Sequence, residues 1–536
     1  MIPFIPKRRA ASGLAVLILS ATLFPCAAQD RATSQWISRG PDGRLVYKAS
    51  PAGDRIMDFS TAGYRGGGVA LPRVPARQTV KPSGGADDTA AIQQAIDAVS
   101  MLPLEGGVRG AVLLAPGEFH CSNSITIGAD GVVLRGSGSR PNEKSSTIKM
   151  SGGKHVAIAV KAPGRATSEE VAGAKTMVAD PYVPAGAIHF AVNDARGFKV
   201  GDTIEIRRPV TPAWIHFMHM DDLRRDGQPQ TWIRAGSTIA IERRIAAVTD
   251  HTITLEVPLS DSMDAKYLQP PGVAVVKVRP ARLVSEVGLE DLHIESPAQK
   301  VNHTEELYTA VRLTGQDCWM RDVLIDETMN SVTLGGRRIT LEKVSVVRQV
   351  PHQGSSKPAE FAPNGDQILL DRCSVSGDNI WFAATGSGHA GPIVLLNCKF
   401  SGNGHIEGHQ RWTTGLLLDN CEVPGGGIDF KNRGAMGSGH GWGLGWSVAW
   451  NCVAKTFLVQ QPPGAMNWAI GCVGERVTAA RPFDSEPKLP EGIFDSPGQA
   501  VAPQSLYLTQ LAERLGPKAL ENIGYAPADT APPRPK

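Results

Sequence analysis

The second half of the chain repeats one pattern of apolar and polar positions. A short apolar run is followed by one residue, in most units Asn, Asp or Gly, and then by a second run in which apolar residues alternate. The aligned positions that open the second run are Leu292, Val323, Val344, Cys373, Cys398, Cys421, Cys452 and Cys472. Successive spacings of 20 to 31 residues predict a solenoid whose coils bury their apolar sides against one another.

The residue types within each unit favour strands over helices. Asn, Asp and Gly tolerate the left-handed conformation, so Asn397, Asn420 and Gly471 suit a bend between two strands of one coil. Long segments with a 3.6-residue period are scarce, and 58 Gly with 39 Pro disfavour a helical solenoid. We therefore predict an all-β fold, a right-handed parallel β-helix, with about ten coils.

Both ends of the solenoid carry helical signals. Residues 84–99 read GGADDTAAIQQAIDAV, in which Asp87 or Asp88 suits the N-cap and an apolar face follows. Residues 505–524 form a second amphipathic segment, which predicts a C-terminal helical cap. The predicted divisions are an N-terminal extension at 29–84, the β-helix at 85–480, a C-terminal extension with its capping helix at 481–524, and a Pro-rich disordered tail at 525–536.

The coil rhythm is interrupted between about 180 and 265. Strand-like runs there flank a long polar loop, HFMHMDDLRRDGQPQTW, and together they predict a small β insertion beside the solenoid. The loop contains His216, His219, Asp221 and Asp222. These residues fit either a metal cluster or ordinary solvated loop polarity, and the second interpretation is preferred.

The aligned cysteines follow from the stacking of coils. Adjacent coils lie about 4.8 Å apart, so equivalent cysteines are within disulfide range but also form an ordinary buried ladder. We favour the thiol ladder. No CxxC pair occurs, and seven cysteines remain once Cys26 is removed with an N-terminal signal, so at least one thiol has no partner within the chain.

The first 28 residues read as an export signal. A basic region at Lys7–Arg9 precedes a short apolar segment, and small residues precede a cut after Ala28. Phe24 and Pro25 fit a lipoprotein cleavage box poorly, which argues against lipidation at Cys26. No other stretch approaches the roughly 20 apolar residues that span a bilayer. We expect a secreted or periplasmic protein without an integral membrane segment after signal removal.

Composition adds little to this picture. The chain has 536 residues, 42% of them hydrophobic and 20% charged, which is ordinary for a globular protein with a large core. The net charge of +3 says little about partners. No nucleic-acid partner is predicted.

Four segments in the first 150 residues carry a family resemblance. They are DFSTAGYRGGG (58–68), DDTAAIQQAIDA (87–98), APGEFH (115–120) and VVLRGSGS (132–139). They resemble the opening of the pectate lyase superfamily, exported parallel β-helix proteins that include polysaccharide lyases, polygalacturonases and uronate epimerases. The usual Gly-Asp-Gly before Asp-Asp-Thr is reduced here to GGA. The resemblance implies the fold and an acidic polysaccharide substrate, but it does not choose the reaction.

Two consecutive coils contain the candidate site. If GHIEGHQRW (404–412) is extended, its alternate residues share one face: His405, Glu407, His409 and Arg411. One coil later, GIDFKNRG (427–434) alternates apolar residues with Asp429, Lys431 and Arg433. Stacking of the coils predicts one charged patch on the outer wall. The same pattern also fits a ladder of surface charges that only solvates the wall.

The patch has the groups that a β-elimination in a uronate requires: a base, cations for the carboxylate, and an acid for the leaving oxygen. We assign Lys431, with a pKa depressed by neighbouring cations, as the base. Arg411 and Arg433 form the carboxylate clamp. His409 or His440 is the acid.

Further residues are assigned to substrate binding. The polar ones are His405, Glu407 and Asp429. Trp412 and Trp442 provide aromatic faces for sugar rings, the second within the Gly-rich GSGHGWGLGW. The metal is left unknown: the resemblance implies that calcium is often used by such lyases, but no clear acidic cage for it is present in the sequence.

Three further functions remain open from the sequence. A hydrolase needs two carboxylates about 5–10 Å apart, and Asp378 with Asp366, Glu407 or Asp429 is the set to test. GHG at 439–441 resembles a polygalacturonase motif, although the expected Arg-x-Lys after it is missing. The pattern is also consistent with a uronate epimerase and with a non-catalytic glycan-binding or adhesive β-helix.

Overall fold

The computed structural model describes Met1 and residues 32–526, apart from 86, 143, 165–166, 301–304 and 485–486. The predicted signal at 1–28, except for Met1, lies outside the described residues. So do residues 527–536 of the predicted tail.

Most of the described chain winds into one large parallel sheet. Within the described residues, 26 strands belong to it, and the strands of successive coils pair in parallel. The prediction of an all-β parallel β-helix is confirmed. Its strands are Ala76–Val80, Gly110–Leu114, Gly117–Cys121, Ile125–Ile127, Val132–Arg135, Ser146–Met150, Val156–Val160, Val284–Ser285, Gly288–Glu295, Thr309–Asp326, Val332–Glu342, Ser345–Val347, Ala359–Asp371, Ser374–Ser376, Trp381–Thr385, Ala390–Leu396, Lys399–Ser401, His405–Gly408, Thr413–Asp419, Glu422–Phe430, Leu444–Gly445, Ser447–Trp450, Val453–Val459, Asn467–Ile470, Val473–Arg476 and Ile493–Asp495.

The repeated polar residue is a left-handed bend. Asn397 and Asn420 have φ of 51° and 53°, and each stands between two strands of one coil. Asn adopts this conformation at lower cost than most residues because its short polar side chain bonds locally. At the aligned positions of two earlier units the bend is made by Lys343 and Arg372, both with φ of 53°.

The ladder of aligned residues stacks as the sequence predicts. Each coil donates a backbone hydrogen bond to the cysteine carbonyl of the coil before it: Lys399 N to Cys373 O, at 3.0 Å, and Glu422 N to Cys398 O, also at 3.0 Å. All the described cysteines are buried free thiols: Cys121, Cys318, Cys373, Cys398, Cys421, Cys452 and Cys472. The predicted thiol ladder is confirmed.

A helix covers the first coils. Thr89–Ser100 buries Ile92, Ile96 and Val99 against the interior of the solenoid, and Ala95 packs beside them. This is the apolar face expected from residues 84–99. The helix shields strand residues that would otherwise face water at the open end.

A second, antiparallel sheet interrupts the solenoid and packs against its side. Its strands are Glu169–Met177, His189–Ala191, Thr203–Pro209, Thr238–Val248, Thr252–Leu255 and Ala274–Arg279. Small elements accompany it: helices Pro212–Phe217 and Ala265–Leu268 and the strand pairs Tyr182–Val183 with Met263–Asp264 and Arg224–Arg225 with Gln228–Pro229. Its core continues into outward-facing residues of the coils, including Trp412 and Trp442. We call this unit the insertion.

The two ends of the described chain meet on the same flank. Helices Leu506–Leu515 and Pro517–Asn522 lie against the outer wall, where Asp419 accepts hydrogen bonds from Ser505 Oγ at 2.7 Å and Tyr507 N at 2.8 Å. The N-terminal elements beside them are strands Ala32–Thr33, which pairs with Val501–Ala502, and Ile37–Arg39, which pairs with Leu45–Tyr47, and the turn of 3-10 helix Tyr64–Gly66. No helix among the described residues has the length and apolar character needed to cross a membrane.

Candidate active site

The candidate site lies on the outer wall of three adjacent coils. Strand His405–Gly408 runs between Trp381–Thr385 and Glu422–Phe430, with Trp381 opposite His405 and Glu407 opposite Asp429. Side chains alternate along a strand, so these register pairs bring their side chains to one face. We define the wall cluster as Trp381, His405, Glu407, His409, Asp429, Lys431, Arg433 and His440.

Two buried carboxylates lie at the bottom of the wall cluster. The side chain of Glu407 is 0% exposed and that of Asp429 is 5% exposed. Lys431 Nζ lies 3.5 Å from Glu407 and 2.6 Å from Asp429, and Arg433 Nη1 lies 2.9 Å from Glu407. Buried anions require such partners. Burial raises the pKa of Asp429, but Lys431 and His405 outweigh it and lower the pKa to about 2.

Two imidazoles cover these carboxylates. His405 Nδ1 lies 2.9 Å from Asp429 Oδ2, and His409 Nδ1 lies 3.0 Å from Glu407 Oε1. The two side chains are 31% and 30% exposed, so solvent reaches the rings and not the carboxylates. For His405, the tautomer that donates from Nδ1 satisfies Asp429 and leaves Nε2 as a proton acceptor. Neither Nε2 has a hydrogen-bond partner among the described residues.

Arg433 holds His409 and Glu407 in place. Its Nη1 lies 2.9 Å from His409 Nδ1 and donates to the backbone oxygen of His409 at 3.0 Å. The same nitrogen contacts Glu407, and the Arg433 side chain is only 5% exposed. Arg433 is therefore a buried partner of Glu407 and not an open clamp for a substrate carboxylate.

Lys431 differs from the expected base. Burial lowers its pKa, but Asp429 and then Glu407 outweigh burial, and the net direction is upward. A lysine with a raised pKa keeps its proton at neutral pH, so the prediction of a depressed pKa is wrong. The side chain remains 18% exposed, and its role is that of a fixed cation.

Arg411 does not join the wall cluster. The strand ends at Gly408, and Arg411 and Trp412 both have left-handed backbones, with φ of 53° and 67°, so the expected alternation stops. Arg411 donates instead to Trp232 O at 2.7 Å and Ser438 Oγ at 2.6 Å. These bonds tie the insertion to the coil. The clamp assigned to Arg411 is therefore corrected to an anchor.

The two tryptophans assigned to sugar binding are buried. Trp412 is 3% exposed and donates its indole N–H to Asp261 at 2.7 Å. Trp442 is 2% exposed and donates to Met218 O at 3.0 Å. Both pack under the insertion and present no face to a ligand, so their assignment to substrate binding is wrong.

His440 lies at the edge of the wall cluster but is a poor acid. Its ring centre lies 4.9 Å from that of His409. Burial, followed by Arg433 and His409, lowers the pKa of His440 to about 3. The ring is neutral at physiological pH and has no proton to give as an imidazolium. The assignment of His440 as the acid is corrected accordingly.

Two residues at the site were missed by sequence reasoning. Trp381 is partly exposed, and its ring centre lies 5.0 Å from Lys357 Nζ, 5.7 Å from Lys431 Nζ and 5.4 Å from Arg433 Cζ. Burial lowers the pKa of Lys357, and no ion pair holds this amine among the described residues. Trp381 stands one coil before His405 and could have been found by spacing. Lys357 lies in an irregular stretch before Ala359–Asp371 and gave no signal.

The four carboxylates that the sequence offered for a hydrolase lie in three separate places. Asp378 Oδ1 accepts from Asn403 N at 2.9 Å, and Asp366 pairs with Arg243 at 2.8 Å. Neither carboxylate contacts a member of the wall cluster among the described residues. Only Glu407 and Asp429 lie close together, since both contact the Lys431 ammonium.

The polar loop of the insertion is held by a hydrogen bond and an ion pair. His216 Nδ1 lies 2.7 Å from Asp221, and Asp222 pairs with Arg481 at 2.6 Å. In the described part of the chain, no three His, Cys, Asp or Glu side chains are grouped as a metal site.

Comparison with known proteins finds only solved structures of low similarity to this chain. No family model matches the sequence, and no curated protein is significantly similar to it. The solved structures found include the tailspike protein gp49 of Pseudomonas phage LKA1, 13% identical with a TM-score of 0.31 over 72% of this chain and 52% of gp49. The chain thus spans about half the length of that tailspike.

Two further phage tailspikes are similar to the same degree. The tailspike of Escherichia coli bacteriophage HK620, in complex with a pentasaccharide, is 9% identical with a TM-score of 0.38 over 83% of this chain and 61% of that one. The gp54 tailspike of Acinetobacter baumannii bacteriophage AP22, in complex with a capsular saccharide, is 11% identical with a TM-score of 0.26 over 74% and 70%. Similarities of this size say nothing about the chemistry of the wall cluster.

Proposed function

We propose that the protein is an exported lyase that cleaves a uronate-containing polysaccharide by β-elimination at the wall cluster. The observation that carries the proposal is the pair of exposed imidazoles, each held through Nδ1 by a buried carboxylate. The resemblance of residues 55–150 to the pectate lyase superfamily and the N-terminal export signal support the same proposal.

His405 is the proposed base. Asp429 fixes its orientation and tautomer, so that Nε2 carries the lone pair on a ring that is partly exposed. A neutral imidazole is able to accept a proton near neutral pH, whereas the protonated Lys431 is not. In the reaction, Nε2 takes the proton from the carbon next to the uronate carboxylate.

His409 is the proposed acid. It stands four residues along the same coil, with its Nδ1 held 3.0 Å from Glu407. Elimination breaks the bond between the sugar ring and the leaving oxygen, and the electron pair left by the first proton forms the ring double bond. The leaving oxygen takes its proton from His409.

Lys431 and Lys357 are the proposed partners of the substrate carboxylate. As the proton leaves, negative charge moves onto the carboxylate, and fixed cations stabilise that charge. Lys431 is held by two carboxylates, whereas Lys357 has the Trp381 ring beside it and no ion pair within the described residues. Lys357 is thus the cation more available to a bound anion, and Trp381 is the aromatic surface next to it.

A second candidate function is hydrolysis by Glu407 and Asp429. Their shared contact with Lys431 puts them near the separation that retaining glycosidases use. Against it stand their burial and their charge: a catalytic acid must reach the glycosidic oxygen and carry a proton, and the pKa of Asp429 is lowered to about 2. The lyase is therefore preferred.

The test is a digestion of a panel of plant, algal and bacterial polyuronates with the purified mature protein, followed by ultraviolet absorbance and by reducing-sugar assay. The lyase predicts both signals together on at least one polymer. Reducing sugar without ultraviolet absorbance supports the hydrolase and contradicts the lyase. Changed uronate stereochemistry without cleavage indicates an epimerase, and binding without any change indicates an adhesive β-helix.

A further inference from the structure

A small pocket separate from the wall cluster lies where the insertion meets the coils. It has a volume of about 70 Å³, which is room for a few water-sized groups. Its rim includes Phe217 and Tyr267, whose stacked rings are 3.9 Å apart and partly exposed. The exposed Gly464 lies at the same rim. Gly464 lies against the Phe217 ring, where an added side chain would collide with it, so the rim is formed by the two rings and this backbone.

Arg208 lines this pocket, and its side chain makes no hydrogen bond within the described part of the chain. The residue is 4% exposed, and its Nε and Nη1 are buried without a partner. Its guanidinium lies 4.1 Å from the Trp214 ring centre, which stabilises the charge but satisfies no N–H. A buried cation with unsatisfied donors costs several kcal/mol. Arg243, another buried arginine of the insertion, instead donates to oxygens of Asp366 and Gly391.

Asp261 is the nearest anion, but the three hydrogen bonds that it accepts come from other donors. Its Oδ2 accepts from Trp412 Nε1 at 2.7 Å, and its Oδ1 accepts from Trp446 Nε1 and from Ser262 N, both at 2.9 Å. Arg208 Nε lies 3.9 Å from Oδ2, beyond hydrogen-bond distance. Asp261 thus balances the charge of Arg208 and leaves its N–H groups available.

We propose that Arg208 and the Tyr267 rim form a binding site for a carboxylate, with the carboxylate group bonded to Arg208 inside and the remainder of the ligand against the aromatic rim. A guanidinium presents two parallel donors that match a carboxylate. The pocket admits a group of a few atoms. Asp261 and Asp264 also line it, so a dianion such as phosphate meets repulsion that a monoanion meets less. The site is independent of the proposed lyase reaction.

Two sources supply such a carboxylate: a free small acid or the uronate unit of a saccharide. Titration calorimetry of the full mature protein with acetate, glucuronate, galacturonate and inorganic phosphate distinguishes them. We expect saturable binding of at least one carboxylate. Acetate binding alone indicates a free small acid, and tighter uronate binding indicates a sugar acid. Equal binding of phosphate, or binding of no carboxylate, overturns the proposal.

Variants locate the binding. Arg208→Lys keeps the charge but loses the paired donors, and we expect affinity to fall about tenfold or more. Arg207→Met is the matched control, since the neighbouring side chain pairs with Glu170 and Glu205 on the other face. Tyr267→Ala tests the rim if Arg208→Lys does not fold. Unchanged affinity in both Arg208→Lys and Tyr267→Ala contradicts the assignment, as does loss of binding in His405→Ala, which would place the ligand in the wall cluster.

Discussion

The wall cluster and a larger charged cleft on the same molecule use similar residues differently. The cleft, about 660 Å³ in volume, lies between the insertion and the solenoid. There Arg338 pairs with Asp317 at 2.7 Å, Arg243 pairs with Asp366 at 2.8 Å, and Arg337 pairs with Glu242. Each of these arginines has its own carboxylate. In the wall cluster, two carboxylates are shared among a lysine, an arginine and two histidines.

The difference shows that density of charge does not by itself mark a reactive site. Arginine keeps its proton at all ordinary pH values, so one-to-one arginine pairs fix elements together without exchanging protons. Two of the pairs, Arg243 with Asp366 and Arg337 with Glu242, join the insertion to the solenoid. Imidazoles exchange protons near neutral pH, and within the described lining of the cleft there is none. In the wall cluster, two imidazoles contact the carboxylates.

The largest expected effect is on turnover in His405→Ala. Losing one general base reduces turnover by roughly 10²–10⁴, with circular dichroism unchanged because the side chain is partly exposed. Arg338→Met in the cleft is the control and is expected to keep turnover near that of the wild type. Initial rates on the preferred polyuronate measure both. Equal losses in the two variants would remove the distinction between the regions.

The next effect is on stability. Lys431→Met leaves two buried carboxylates short of a cation, and we expect the free energy of unfolding to fall by about 3–5 kcal/mol. Arg338→Met removes one partner of a more exposed pair and is expected to lose about 1 kcal/mol or less. Urea unfolding of both variants gives the comparison. A loss in Lys431→Met no larger than in Arg338→Met would contradict the shared network.

Two buried aspartates, Asp419 and Asp429, are expected to change the stability of the protein in opposite directions as pH rises. Burial raises the pKa of Asp419, which pairs with no cation among the described residues, to about 7, whereas Lys431 and His405 bring the pKa of Asp429 to about 2 despite burial. The stability that Asp419 contributes is full below its unfolded pKa, near 4, and is lost progressively as pH rises from there through about 7. The contribution of Asp429 is present above about pH 4 and is lost as pH falls through about 2.

Asp419→Asn should therefore flatten the fall in stability between about pH 5 and pH 8 by on the order of 3 kcal/mol. Asp429→Asn should keep the wild-type slope across that range, since Asp429 does not titrate there. Thermal or urea unfolding at each pH measures the slopes. Parallel curves for Asp419→Asn and the wild type would show that this aspartate is ionised when folded.

The smallest effect concerns the anchor. Arg411→Ala removes the hydrogen bonds to Trp232 O and Ser438 Oγ, so we expect a loss of about 1–3 kcal/mol in stability. Turnover should fall far less than in His405→Ala, because Arg411 lies outside the wall cluster. Rates and urea unfolding of the same preparation separate the two effects. A drop in turnover as large as that of His405→Ala would return Arg411 to the reaction.

The fold was predictable because its cause is repeated. The eight aligned units show the same apolar run, and bends such as Asn397 and Asn420 depend only on local geometry. All eight units therefore indicate the same coil structure. The strand part of the site was predictable for the same reason. Alternation and coil length bring His405, Glu407 and Asp429 together without knowledge of the remainder of the chain.

The parts that failed depend on contacts from distant sequence. Trp412 and Trp442 are buried by the insertion, where their hydrogen-bond partners lie 151 and 224 positions away. The left-handed backbone at Arg411 ends the alternation, and residue type gave no sign of it. The pKa of Lys431 depends on the balance between burial and two carboxylates, which a pattern of residue types does not supply.

The most direct test of the central claim is digestion of the preferred polyuronate in water enriched in heavy oxygen, with mass spectrometry of the products. Proton transfer by His405 and His409 breaks the glycosidic bond without adding water across it. The account predicts unsaturated products, lighter by one water than hydrolysis products, with no heavy oxygen introduced at cleavage. Saturated products that carry one heavy oxygen at the new end would show hydrolysis, and would contradict the β-elimination.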